Sequence, residues 1–297
     1  MRSIIIRFAA AGLTVCGTMA AFALPASAGT QAAASHCTSV RGTGSRVILS
    51  QIFFRSGSVC FDVSSSNPGT PGGGGGSAIN LFRLNRGVTW VQARKDFRDE
   101  FSSNPATAAK GTRELTRDVS SYGLAAVVPG HPETVTVNLT RGTYHIWDLA
   151  NTAAGGPLPG QVTLHVIGRV PGHSLSGSVQ VAVTSADRFV APATWPHSGT
   201  YLFHNVADTI HFMDIIPVKP GTTDKEIQAF FNSHSTAPPP FFVPGPSGGN
   251  DVVSPGHTIQ VSYSLPRGTY VLMCFVADDV TGIPHAIMGM HKVIKLR

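Results

Sequence analysis

Pro129-Gly130-His131 … Arg141-Gly142-Thr143-Tyr144 and Pro255-Gly256-His257 … Arg267-Gly268-Thr269-Tyr270 are one pattern written twice, 126 positions apart. Between the two landmarks, Val-Thr-Val-Asn-Leu (135–139) and Val-Ser-Tyr-Ser-Leu (261–265) alternate apolar and polar residues, as half-buried strands do. Upstream, Leu84-Asn85-Arg86-Gly87-Val88-Thr89 corresponds to Val218-Lys219-Pro220-Gly221-Thr222-Thr223. Each of these stretches predicts a helix start with a capping box, Thr89 with Gln92 and Thr223 with Glu226, in which hydroxyl and N3 side chain satisfy each other's backbone amides. Trp90, Ala93 and Phe97 make the apolar stripe of the first helix, and Ile227, Phe230 and Phe231 that of the second.

Outward from these landmarks, each copy reads as early strands, a strand running into a short helix, a loop, and three further strands. Short strands at regular spacing with Gly- and Pro-rich turns predict a β-sandwich. The chain is therefore expected to be all-β, two tandem sandwiches with one short helix each. The boundary is expected at Pro171-Gly172-His173, giving domains over 29–172 and 173–297.

The first residues predict export. Arg2 and Arg7 precede an apolar run from Ala9 to Leu24, and Pro25-Ala26-Ser27-Ala28 presents small residues for cleavage after Ala28. A signal peptide over 1–28 leaves a secreted, extracellular chain with no membrane association. The formal charge of +6 is small and scattered, with no Lys/Arg run, so nucleic-acid binding is not expected. Of the four cysteines, Cys16 leaves with the signal, and Cys37 and Cys60, close together early in the first domain, are expected to form a disulfide. Cys274 is left over, and an unpaired thiol in an oxidising compartment is protected by burial or by a metal.

Cys274 ends the Gly268–Phe275 strand pattern, and Pro284-His285-Ala286-Ile287-Met288-Gly289-Met290 follows an acidic turn. A thiolate, an imidazole and a thioether in that order are donors a copper ion takes together, with a second imidazole. The stretch from about Gly177 to Arg297 resembles the cupredoxin family, the plastocyanin- and azurin-like blue copper proteins, and through the internal repeat the likeness extends to the first domain as a fold. The resemblance implies a Greek-key sandwich in a secreted protein of actinobacterial type. His204-Asn205-Val206-Ala207-Asp208-Thr209-Ile210-His211 matches the family's upstream ligand region, so it implies metal ligands His211, Cys274, His285 and Met290, with Met288 the next axial candidate. Ten residues separate Cys274 from His285, where small blue copper proteins have only a few.

Taken alone, Cys274 alternates with Tyr270 and Leu272 as a core thiol would, and Met288 and Met290 share a face of the last strand as packing residues would. In the first copy Asp148, Pro159, Leu164 and about Ser77 stand where the second has Cys274, His285, Met290 and His211. No His-x-His pair occurs, so the trinuclear cluster of multicopper oxidases is not expected, and neither is enzymatic activity. His131 and His257 lie at Pro-Gly turns and read as structural. The resulting expectation is a non-enzymatic protein binding one copper ion in its second domain for electron transfer or copper handling, with a redox protein as partner. The rival is a metal-free secreted binding module, which would place His285 far from Cys274.

Overall fold

The computed structural model describes residues 37–68 and 75–297; the expected signal segment and Gly72–Gly74 of the glycine-rich loop lie outside them. The first half carries β1 (Thr38–Gly42), β2 (Val47–Leu49), β3 (Phe53–Arg55), β4 (Gly57–Ser65), β5 (Ser77–Leu84), α1 (Trp90–Glu100), α2 (Pro105–Asp118), β6 (Val119–Ser121), β7 (Ala126–Val127), β8 (Glu133–Leu139), β9 (Gly142–Asp148), α3 (Ala150–Ala153) and β10 (Val162–Ile167). The second carries β11 (Val179–Val183), β12 (Phe189–Val190), β13 (Thr194–Trp195), β14 (Ser198–Asn205), β15 (His211–Val218), α4 (Asp224–Asn232), β16 (Gly248–Val253), β17 (Thr258–Ser264), β18 (Gly268–Met273) and β19 (His291–Leu296).

Both halves pair their strands by one plan. β1 lies parallel to β4 and antiparallel to β2, and β11 lies parallel to β14 and antiparallel to β12. β3 runs parallel to β10 as β13 does to β19, and β9 sits between β5 and β10 as β18 sits between β15 and β19. The chain crosses repeatedly between two sheets in each half, which is a Greek-key sandwich. The inner sheets of the two halves fuse into one eight-stranded sheet, ordered β12-β11-β14-β17-β8-β4-β1-β2. At the junction Val261 faces Val135, flanked by Gln260 opposite Thr136 and Ser262 opposite Thr134.

The recurrent sequence has a physical reason. The Tyr144 hydroxyl donates to the carbonyl of Thr140 at 2.9 Å and that of Tyr270 to Pro266 at 3.0 Å, each pinning the turn before its strand. The Pro-Gly-His turns also match, with Gly130 at φ 82° and Gly256 at φ 74°, a region glycine enters without strain. His257 Nδ1 donates to the Ser121 carbonyl, 2.9 Å away, and the ring stacks on Tyr122 of the other half.

The helices differ between halves. Thr223 and Glu226 form the complete capping box, whereas Thr89 caps Gln92 N–H while the Gln92 amide turns forward to the buried carboxylate of Asp96. The first half carries the longer α2 in addition to the expected helix; Asn104 caps it and Pro105 opens it. Phe97 of α1 packs edge-on against Trp147 at 4.5 Å, with Phe82 and Trp90 completing an aromatic nest. One apolar core runs through both sandwiches, and a smaller one beneath α4 gathers Ile216, Ile227, Val271 and Met273.

Cys37 is bonded to Cys60, tying the chain just before β1 to β4 with Cα atoms 4.7 Å apart. The bridge spans 23 residues. Replacing both cysteines with Ser is expected to cost about 3 kcal/mol, because the unfolded chain regains the freedom that loop closure removes. A lowered denaturation midpoint in guanidinium, with a slope equal to or steeper than that of the disulfide-bonded protein, checks this. Among the described residues no helix is long and apolar enough to cross a membrane.

Candidate metal centre

Three elements of the second half converge at one end of the sandwich. β14 ends at Asn205, whose buried side-chain amide donates to the carbonyls of Thr209 and Val253 at 2.7 and 2.8 Å while its oxygen accepts from Ala207 N–H. This closes the 206–210 turn and sets His211 as the first residue of β15. Cys274 follows β18 directly and packs, as expected, with Tyr270 and Leu272; Met273 faces the other way, into the core beneath α4.

The long spacing to His285 is absorbed by a small closed loop. Ala277 pairs with Pro284, and Asp278 Oδ1 accepts from the backbone amides of Val280 and Thr281 and from the Thr281 hydroxyl. Beyond that closure, His285 N–H donates to Val276 and Ala286 N–H to the Cys274 carbonyl at 2.7 Å, so His285 returns beside the cysteine. The loop also leans on the first half. Gly282, at φ 70°, lies so close to Pro105 that a Cβ would stand 1.9 Å from its carbonyl oxygen, and Arg113 of α2 donates to the Asp279 carbonyl.

Cys274 Sγ lies 3.7 Å from His211 Nδ1 and 3.9 Å from His285 Nδ1, and all three residues are buried. A metal ion with sulfur at about 2.3 Å and nitrogen at about 2.0 Å sets sulfur–nitrogen separations of roughly 3.5–3.8 Å between tetrahedral and trigonal angles. The His211 distance falls within that span and the His285 distance lies 0.1 Å beyond it, and both are too long for strong hydrogen bonds. Met290 is fully buried, and its N–H donates to the His285 carbonyl at 2.9 Å. The two methionines do not share a strand face: Gly289, at φ 103°, breaks the alternation before β19 begins at His291. Met288 is instead partly exposed, its sulfur 3.6 Å from the Thr281 hydroxyl.

Asp187 was not foreseen. It occupies the tight β11–β12 turn at φ 52°, and no motif marks a single turn carboxylate as a site residue. Its Oδ1 lies 3.2 Å from His211 Nε2, which also meets the Thr209 hydroxyl at 3.1 Å, and its Oδ2 lies 3.9 Å from His285 Nε2. A carboxylate on the far nitrogen fixes ring orientation and leaves Nδ1 to face the sulfur. α4 braces the same loop through the Gln228 amide, which donates to the Ile287 carbonyl.

The electrostatics follow from burial. Desolvation pushes the Cys274 thiol up to about 12, so a metal must displace its proton. Burial would raise Asp187 too, but its hydrogen bond to His211 and the charges of His285, His211 and Arg188 hold it below the usual carboxylate range. Desolvation, then the neighbouring His211, push His285 down to about 4. Between that value and the ordinary 6.5, the unfolded chain binds a proton the folded chain refuses. Stability without metal is therefore expected to fall as pH drops from about 6.5 to 4, by up to about 1.4 kcal/mol per pH unit. Urea titrations across that range check it, and His285→Phe should flatten the slope.

The second half has a Greek-key strand plan, and His211, Cys274 and His285 meet at one end of it. No protein-family profile matches the sequence, and no match is found among curated proteins. Among solved structures, the chain is similar to reduced auracyanin from the photosynthetic bacterium Roseiflexus castenholzii, at 19% identity over 42% of this chain and 99% of that one, with a TM-score of 0.26. It is also similar to a multicopper oxidase, at 11% identity over 88% of this chain and 76% of that one, with a TM-score of 0.21. A copper-containing nitrite reductase from Thermus scotoductus shows 8% identity over 88% of this chain and 61% of that one, again with a TM-score of 0.21. The expectation that the chain is not an enzyme is corrected here: the similar structures include oxidases and a reductase.

Proposed function

We propose that this is an exported protein holding one copper ion between His211, Cys274 and His285, with Met290 as a fourth donor, for electron transfer or copper handling. The observation that carries the reading is one buried sulfur facing two imidazole Nδ1 atoms at 3.7 and 3.9 Å. Bound copper would supply one-electron redox chemistry. The chain's part is to hold the donors: Asp187 and Thr209 orient His211, the Ala277–Pro284 closure returns His285, and burial keeps water from the sulfur. A soft thiolate and thioether with two imidazoles suit copper better than harder cations.

The first half supports the same reading by contrast. There Asp148 is buried where the second half has its thiol, and it accepts from the amides of Gly44, Ala78 and Ala150 and bonds Ser77. A hydrogen-bonded carboxylate takes the place of the donor set, consistent with a duplication that kept the fold in both copies and the metal in one. The Cys37–Cys60 bond supports export, since such bonds persist in oxidising compartments. A redox protein partner would dock where the ligand loop reaches the surface, around the partly exposed Met288.

The test is the visible spectrum of purified protein titrated with Cu(II). A strong thiolate-to-copper band saturating at one copper per chain is expected. No band, with Cys274 reacting with a thiol reagent only after unfolding, would mean a metal-free module.

A further inference from the structure

We infer that a second divalent cation binds on the outer side of the trio, between Asp187, Asp278 and the Nε2 face of His285. The donor atoms of these three residues all lie within 4.8 Å of one another. The independent sign is His285 Nε2 itself: His285 is 1% exposed, yet this nitrogen has no hydrogen-bond partner. Its nearest carboxylate oxygen, Asp187 Oδ2, is 3.9 Å away, beyond hydrogen-bond reach. Buried ring nitrogens are ordinarily satisfied, and one left facing two carboxylates is placed as a ligand would be.

Both carboxylates are held in position by other bonds. Asp187 Oδ1 is engaged by His211, which leaves Oδ2 turned toward His285. Asp278 Oδ1 takes the two amides and the hydroxyl of its own turn, so the turn fixes the carboxylate against the imidazole. Asp208 and Asp279 add negative charge nearby, which Arg113 and Arg188 offset in part.

Two carboxylate oxygens and one imidazole form a harder donor set than the trio behind it. They suit a zinc-class divalent ion, with water completing the coordination. Asp187 is the most open of the three, its side chain 24% exposed, and gives the ion its way in from solvent. When His285 Nδ1 is already bound inward, a cation on Nε2 forms one nitrogen–metal bond and breaks one N–H bond, and the proton passes to buffer. The inference rests on the copper reading only in that the two sites share His285.

The test separates them. In full-length Cys274→Ser protein, whose inner site lacks its thiol, calorimetric titration with Zn(II) is expected to give one ion per chain. Asp278→Asn in that background keeps the turn's acceptor oxygen and is expected to weaken binding at least tenfold, as is Asp187→Asn. In copper-loaded protein with Cys274 intact, adding Zn(II) is expected to shift the thiolate band, and Asp278→Asn to abolish that shift without removing the band. No zinc binding by Cys274→Ser, or binding unchanged by both Asn substitutions, would overturn the inference even with the copper band intact. Zinc binding that depends on Asp278 in a protein with no copper band would uphold it and overturn the copper reading instead.

Discussion

Cys274→Ser is expected to abolish the copper band completely while the protein stays folded. The band requires a thiolate on the metal, and a serine hydroxyl can supply neither the soft sulfur orbital nor an anion at neutral pH. The fold should tolerate the change because Ser is close in size to Cys and the site already offers polar neighbours in His211 and His285. Burying the hydroxyl costs on the order of 1–2 kcal/mol, against a total stability of roughly 5–15 kcal/mol. Absorption during copper titration and a thermal melt by circular dichroism check both halves of the expectation. A band that survived would remove Cys274 from the site.

Gly282→Val is expected to be the most damaging single change in the ligand loop, at about 4 kcal/mol. Two independent costs add. A β-branched residue at φ 70° is strained by roughly 1–3 kcal/mol, and its Cβ would fall 1.9 Å from the Pro105 carbonyl oxygen, which is backbone and cannot turn aside. The loop must then lift from α2, breaking the Arg113–Asp279 contact and loosening the segment that returns His285 to Cys274. Denaturant midpoints should fall, and copper affinity should fall with them. Arg113→Ala, which removes the hydrogen bond without the clash, should cost far less; equal losses in the two variants would mean that the Gly282–Pro105 contact is not what seats the loop.

Much of the fold could be read from residues because its constraints are local. The Gly-Thr-Tyr landmark recurs since a tyrosine hydroxyl must reach a carbonyl four residues back, and the Pro-Gly-His turn recurs since it needs glycine at positive φ. The meeting of His211, Cys274 and His285 was expected only through the family resemblance, and the closed loop at Ala277–Pro284 shows why ten intervening residues do not separate the last two. What stayed hidden depends on contacts between distant segments. Asp187 reaches the imidazoles only because β11 and β12 bring a turn there from far upstream. Gln92 leaves its capping role for Asp96, one turn on in the same helix; that residue is visible in the sequence, but the burial that makes its carboxylate need a donor comes from the packing around α1. α2 does have a local trace, Asn104 before Pro105, at a place where the second half carries only a loop.

The junction of the eight-stranded sheet has a consequence for either half in isolation. Val135 and Val261 occupy matching places in the two copies, and they face each other with their neighbours crossing symmetrically. The two halves are thus related at this seam by a local two-fold axis, the symmetry by which identical subunits associate. A half expressed alone would present β8 or β17 as a bare hydrogen-bonding edge already in register with its own copy. The single chain carries within itself the geometry of a homodimer.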